Sequence, residues 1–319
     1  MATADQIKSL VKSYAEGNDE RFKTTVLQIA AYEAKKNHVN FARELKTLIE
    51  TKRPAKPNVI SLNKTNPTLQ MTFPDFQLED LIVSDEIKER IFRILNEYKN
   101  KHKLQQFGLQ NRRKILIEGP PGTGKTFTAS VIASELSLPL YTVQVDKLIT
   151  KFMGETSIKL RQIFESIENN VGVYFFDEFD AIGTDRSMDN EVGEMRRILN
   201  SFLQFFEQDT SESLIIAATN NQKLLDQALF RRFDDILHYT LPTTKEVSTI
   251  FTNRLSVFQK GFNPTDKLIT TAKVLSQAEL VKICDDAIKE SILSGNEITE
   301  KQLLTLVDER VNIYSDREA

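Results

Sequence analysis

The chain has 319 residues, 40% of them apolar and 27% charged, with a net charge of −3, the composition of an ordinary globular protein large enough to bury two or three cores. No apolar run approaches the roughly 18–20 residues of a spanning helix, which argues against a membrane protein. Cys284 is the single cysteine, which excludes an intramolecular disulfide framework, and Met1–Asp5 opens an amphipathic pattern rather than a signal peptide; a reducing, cytoplasmic setting is expected.

Residues 1–53 carry three helical stripes. Ile7, Leu10, Val11 and Tyr14 form the first, Phe22, Val26, Ile29 and Ala30 the second, and Ala42, Leu45, Leu48 and Ile49 the third, with Gly17-Asn18-Asp19 and Asn37-His38 between them. The pattern predicts a small three-helix bundle for docking a partner or substrate. Residues 1–60 hold eleven Lys/Arg against seven Asp/Glu, an excess of four that leaves −7 for the rest. Such an excess is ordinarily a solvated helical surface, and the acidic remainder argues against a chain that coats nucleic acid. Residues 54–75, with Pro54, Pro57, Pro67 and Pro74, lack sustained periodicity and read as an extended linker.

From 76 to 242 helix and strand alternate. A helix is expected near 84–100 and strands near 114–118, 140–144, 172–177 and 213–218, which is the pattern of a doubly wound parallel α/β domain. Residues 243–319 lose the strand signal and gain capping boxes, Thr243-x-x-Glu246, Ser276-x-x-Glu279 and Thr299-x-x-Gln302, so a small helical domain follows.

Two motifs carry chemistry. Gly119-Pro120-Pro121-Gly122-Thr123-Gly124-Lys125-Thr126 follows the apolar run Ile115-Leu116-Ile117 and opens a helix. In that setting the glycines turn backbone N–H groups inward around a phosphate, Lys125 supplies charge to the β- and γ-phosphates, and Thr126 offers a hydroxyl to Mg²⁺. Some fifty residues on, Val173-Tyr174-Phe175-Phe176 runs into Asp177-Glu178, a buried strand with two carboxylates at its tip. Asp177 then belongs to the Mg²⁺ shell, and Glu178 orients and polarises the attacking water.

These residues resemble the AAA family of ATPases across nearly all of 76–310. Asp80-Leu81-Ile82 stands where the family has its segment beside adenine, and Asp177-Glu178-Phe179-Asp180-Ala181-Ile182-Gly183 is similar to the family's acidic box. Ala217-Ala218-Thr219-Asn220 resembles the first sensor strand. Leu225-Asp226-x-Ala228-Leu229-Phe230-Arg231-Arg232-Phe233-Asp234 resembles the second region of homology with its paired arginine fingers. The resemblance implies an ATP site made by Pro121, Gly122, Thr123, Gly124, Lys125, Thr126, Phe127, Leu81, Ile82 and Ala278, with Mg²⁺ on Thr126 and Asp177. It implies catalysis by Glu178 and Asn220, and Arg231 and Arg232 reaching a neighbouring subunit in a ring, expected to be a hexamer. Lys151-Phe152-Met153-Gly154-Glu155-Thr156 is similar to the central-pore loop, where Lys151, Phe152 and Met153 would grip a polypeptide through contact area; the competing reading makes Phe152 and Met153 core residues after a strand.

Two positions depart from the family pattern: Gln277 precedes Ala278 where many members have glycine, and Phe206-Glu207-Gln208 replaces a common Met-Asp-Gly. The segment from Asp19 to Lys35 resembles the N-terminus of short bacterial AAA ATPases paired with a subtilisin-like serine protease in phage-defence and plasmid-incompatibility cassettes. Helical-bundle domains of katanin- and spastin-like enzymes are the competitor. The resemblance thus implies an ATP-driven ring that remodels or threads a protein, with a DNA-acting AAA+ machine and a slow nucleotide-dependent switch or scaffold as alternatives.

Overall fold

A computed structural model of the chain describes residues 24–27, 29–30, 32, 58–60, 66–148, 155–180, 192–220 and 227–315. The chain divides into two compact units, Met1–Lys56 and Pro57–Ala319. In the first, the described residues are helical and bury Val26, Ile29 and Ala30, the core of the second sequence stripe. The first and third stripes lie outside the described residues.

The second unit is built on one sheet. Its strands are β1 (Asn58–Ile60), β2 (Leu69–Phe73), β3 (Lys114–Glu118), β4 (Leu140–Val143), β5 (Val173–Phe176), β6 (Leu214–Thr219) and β7 (Asp235–His238). Their spatial order is β1-β2-β4-β5-β6-β3-β7. The helices are α1 (Asp85–Lys99), α2 (Lys101–Gln105), α3 (Lys125–Glu135), α4 (Val145–Leu148), α5 (Glu155–Asn169), α6 (Val192–Gln208), α7 (Gln227–Phe230), α8 (Thr244–Ser256), α9 (Asp266–Ala272), α10 (Gln277–Ser294) and α11 (Glu300–Ser315).

β5 and β6 are buried at every residue because helices cover both faces, which is why they read as unbroken apolar runs. On one face α1 and α3 pack Ile91, Ile94, Ala129 and Ile132 against Ile115, Ile117 and Phe175. On the other, α5 and α6 pack Leu160, Phe164, Phe202 and Phe206 against Leu116, Tyr174 and Phe176. The connection from β3 through α3 to β4 passes over β6 and β5, leaving the C-terminal tip of β3 open beside its neighbours, the usual place for a ligand in such sheets.

Two expectations are corrected and the fold class is refined. Residues 54–75 are no structureless linker, since β1 and β2 lie within them: β2 runs antiparallel to β4 with Leu69 opposite Val143, and β1 pairs antiparallel with β2. The prolines flank the two strands instead of interrupting them, and the pairing partner lies some seventy residues away. The sheet is accordingly mixed, with β4, β5, β6, β3 and β7 parallel and the other two antiparallel at one edge. β7 was also absent from the expectation, because Ile236 and Leu237 are its only apolar residues; the buried Asp235 is held by Arg90 and Arg112.

α8 to α11 enclose a core of their own around Val247, Phe251, Leu268, Leu280, Cys284 and Leu303. Of the three capping boxes, Thr243–Glu246 closes both ways, with Thr243 N–H donating to Glu246 Oε2 at 2.6 Å. Ser276 and Thr299 accept at their caps, but Glu279 turns to Lys282 and Arg310, and Gln302 to Glu290. Tertiary partners therefore outcompete the local box at two of three helices.

Candidate active site

The loop between β3 and α3 is shaped by close approach. Gly119 has φ 149°, and a Cβ there would run into the carbonyl oxygen of Tyr239, just past β7. At Gly122, with φ 77°, a Cβ would meet the Ser276 hydroxyl and come within 3.3 Å of Ala278 Cβ, while Ala278 N–H donates to Gly122 O at 2.9 Å. The first residues of α10 thus clasp the loop, and only glycine fits. A groove of 760 Å³ runs along this clasp, lined by Pro121, Gly122, Ser276, Ala278 and Lys282 among others.

Lys125 is buried to 7% exposure. Its Nζ donates to Gly119 O and Pro120 O, each at 2.8 Å, and to Asn220 Oδ1 at 2.7 Å. Burial pulls its ammonium below the ordinary lysine range, against an opposing pull from Asp177 and Asp180. The Thr126 hydroxyl donates to Asp177 Oδ2 at 2.9 Å, so hydroxyl and carboxylate already converge from β5 and α3. An all-oxygen pair beside a phosphate cradle is the donor set that suits Mg²⁺.

Glu178 is exposed and has φ 50°, a left-handed conformation uncommon for a residue with a side chain and of the kind held in place at functional sites. The kink is held on both sides: Glu178 N–H donates to Asp177 Oδ1 and Phe179 N–H to Ala218 O, at 2.9 and 2.8 Å, and the Phe179 ring is fully buried.

Arg231 and Arg232 follow α7 at the other end of β3. Asp234 fixes their turn, its backbone N–H donating to Lys114 O at 2.7 Å and its Oδ2 accepting the N–H groups of Arg113 and Lys114, both at 2.9 Å. Lys114 begins β3 and Gly119 follows its last residue, so the turn that carries the arginines lies a strand length, about 15 Å, from the cradle of its own chain.

A sequence model for the ATPase family associated with various cellular activities (AAA) matches residues 115–241, from β3 to just beyond β7. An uncharacterized AAA family ATPase of Sinorhizobium fredii, y4kL, is 33% identical over 301 residues, covering 92% of this chain and 90% of that protein. The chain belongs to the AAA family of ATPases. It is an enzyme that binds and hydrolyses ATP. The ATP-dependent zinc metalloprotease FtsH of Mycoplasmopsis synoviae is also 33% identical, over 77% of this ATPase but 38% of that protein, so the chain spans well under half of that relative. In fold it is similar to the crystal structure of the FIGL-1 AAA domain, with a TM-score of 0.61 at 20% identity, covering 78% of this chain and 91% of that one.

Within this ATPase, Lys125, Thr126, Asp177 and Asn220 come together, and Ala278 joins them from α10. Leu81 is buried in the core beneath α1, whereas Ile82 packs against the α8–α11 core, so the segment bridges the two. Phe127 stacks edge-on with Phe76 at 4.9 Å. Lys151, Phe152 and Met153 lie outside the described residues. The sequence places Asp180 in the acidic box without a role; its Oδ1 accepts the Thr219 hydroxyl at 3.1 Å and the Asn220 N–H at 3.4 Å, tying the acidic tip of β5 to the tip of β6. Sequence reasoning missed Tyr239, whose hydroxyl meets Thr128 Oγ1 at 2.5 Å while its backbone walls Gly119. Tyr239 carries no local signal, since it acts through a partner on another element. No helix among the described residues is long and apolar enough to cross a membrane.

Proposed function

We propose that this ATPase works as a ring, with six subunits expected, that hydrolyses ATP at subunit boundaries and uses the turnover to remodel a polypeptide. One observation carries the reading: in a single chain the cradle and the Arg231–Arg232 turn sit at opposite ends of β3, beyond the reach of one arginine side chain. A second copy supplies what the first lacks.

In this scheme the N–H groups of Pro121-flanked Gly122, Thr123 and Gly124 and the Lys125 ammonium bind phosphate. Leu81, Ile82, Phe127 and Ala278 flank base and ribose. Thr126 and Asp177 would hold Mg²⁺, which when bound neutralises phosphate charge. Glu178 orients the attacking water with Asn220, which already holds Lys125 and so links the phosphate-binding ammonium to the water-positioning group. Arginine from the neighbour offsets charge developing on the γ-phosphoryl group.

The polypeptide substrate is supported by Phe152 and Met153, bracketed by Lys151 and Glu155, and by the names of two relatives, the FtsH metalloprotease and a putative 26S proteasome regulatory subunit homolog of Methanothermobacter thermautotrophicus, 27% identical over 69% of this chain and 60% of that protein. The N-terminal resemblance extends the reading to a subtilisin-like serine protease partner in a phage-defence cassette, docked through residues 1–53. The test mixes chains carrying Arg231→Ala and Arg232→Ala with chains carrying Glu178→Gln. Turnover reappearing in mixed rings, and rising with unfolded protein but not with single-stranded DNA, is the expected result. Mixed rings that stay inactive at every ratio would refute action across the boundary, and stimulation by DNA alone would favour a DNA-acting machine.

A further inference from the structure

We infer that Glu207 is a positioning residue for the arginine turn: it anchors Arg232, so that Arg231 is the guanidinium presented to the neighbour's γ-phosphate. The inference rests on the ring reading above and divides labour between two arginines that the sequence treats as a pair.

Glu207 lies in the last turn of α6, and its Oε1 accepts from Arg232 Nε. The surrounding residues clamp the same turn. The Phe206 ring packs on Phe233 at a centroid distance of 5.1 Å. Lys114 Nζ sits 4.7 Å over the Phe206 ring and donates to Phe206 O. Asp209, one residue past α6, holds Arg113, and Asp234 caps the start of β3. Positions 232, 233 and 234 are thus each tied to α6 or β3, while Arg231 is exposed. An arginine whose Nε is engaged by a carboxylate keeps its Nη donors, but while the pair lasts its guanidinium is held at the end of α6. Arg231 is not held there, and the clamped turn leaves it with little ordering to do on docking.

Exposure decides what Glu207 is for. The Arg232 and Glu207 side chains are 30% and 53% exposed, so solvent screens the pair and it adds little to folding stability. A purely structural Glu207 would therefore be nearly silent when replaced. A positioning Glu207 changes turnover while melting and assembly stay put.

The experiment measures ATPase kcat and KM of the full chain at concentrations that bracket ring assembly, with ring mass and thermal melting as controls. Arg231→Ala is expected to lose about 10³-fold in kcat. Glu207→Ala and Arg232→Ala should each lose about 10–100-fold with KM for ATP unchanged, the scale of a misplaced but present group. Glu207→Gln, whose amide oxygen still accepts from Nε, should stay near wild type. The exchange of Glu207→Arg with Arg232→Glu should recover to within about fivefold, because it rebuilds the anchor. An exchanged chain that assembles yet stays as inactive as Arg231→Ala would show that Arg232 itself touches phosphate, overturning the inference. Should the exchanged chain fail to assemble, Glu207→Lys decides: wild-type turnover there also overturns it, and a loss supports it. If Arg231→Ala and Arg232→Ala both turn over like wild type in assembled rings, the ring reading fails instead.

Discussion

At the C-terminal end of β3, one continuous stretch from Gly119 to Thr126 makes most of a site out of backbone, with Lys125 and Thr126 added. At the N-terminal end, Arg113, Lys114, Glu207, Asp209, Arg232 and Asp234 arrive from three separate segments and meet through charged side chains. On the proposed function, the first construction binds an anion with N–H groups that no side-chain replacement removes, so its sensitive points are the glycines and one cation. The second has no dominant member; each group holds another, and function emerges from the orientation of what is left exposed. On the proposed function, the site that binds is local and the one offered to a neighbour is distributed.

The largest expected effect lies at the cradle end. Glu178→Gln keeps the shape of the side chain and removes the charge proposed to polarise water, so kcat should fall on the order of 10²–10⁴-fold with ATP binding retained. Turnover within about threefold of wild type would remove Glu178 from its role.

Gly122→Ala is next. The left-handed backbone alone costs about 1–2 kcal/mol for a residue with Cβ, and the methyl would press on Ser276 and Ala278. ATP affinity should fall about tenfold, measured by titration calorimetry, and thermal melting should drop by about 2–4 °C with it. Unchanged affinity would mean that the α10 clasp does not shape the phosphate loop.

Asp234→Ala tests the other end, where stability should fall without affinity. Two backbone N–H groups lose their acceptor, worth about 1–2 kcal/mol in all, and melting should drop by about 2–4 °C with ATP affinity unchanged. A variant that lost affinity but not stability would erase the distinction between the two ends.

Cys284 offers the smallest and most general readout. Burial in the α8–α11 core pushes its thiol up to about 12 from 9.0, so near pH 8 the native thiolate fraction is about 10⁻⁴ and a thiol reagent should label it only through opening. The sign follows: the folded state favours the neutral thiol, so this contribution to stability is intact below about pH 9 and is lost as pH rises towards 12. Labelling in native buffer as fast as in denaturant would contradict the packing of that core. With that control, Gly122→Ala should speed labelling more than Asp234→Ala, because only the first disturbs α10.

Legibility in the sequence tracks how far apart the cooperating residues are. The cradle, the acidic tip of β5 and the four central strands could be read directly. Glycines, lysine and hydroxyl must be contiguous to wrap a phosphate, and strands buried on both faces must be apolar throughout. The capping signals located the C-terminal helices for the same local reason. Only tertiary structure decided the rest. β7 carries two apolar residues and exists because its backbone pairs with β3 and its buried Asp235 finds Arg90 and Arg112; β1 and β2 exist because β4 leaves an edge to be extended. Asp180, Tyr239 and the α10 clasp on Gly122 likewise acquire their roles from groups 39, 111 and some 150 residues distant. The arginine turn was recognisable as sequence, but its distance from the cradle of its own chain, and the carboxylate that holds one arginine while leaving its neighbour exposed, depend on where β3 begins and α6 ends in space. Short-range chemistry is written in adjacent residues, whereas pairing across a sheet is a property of the folded chain.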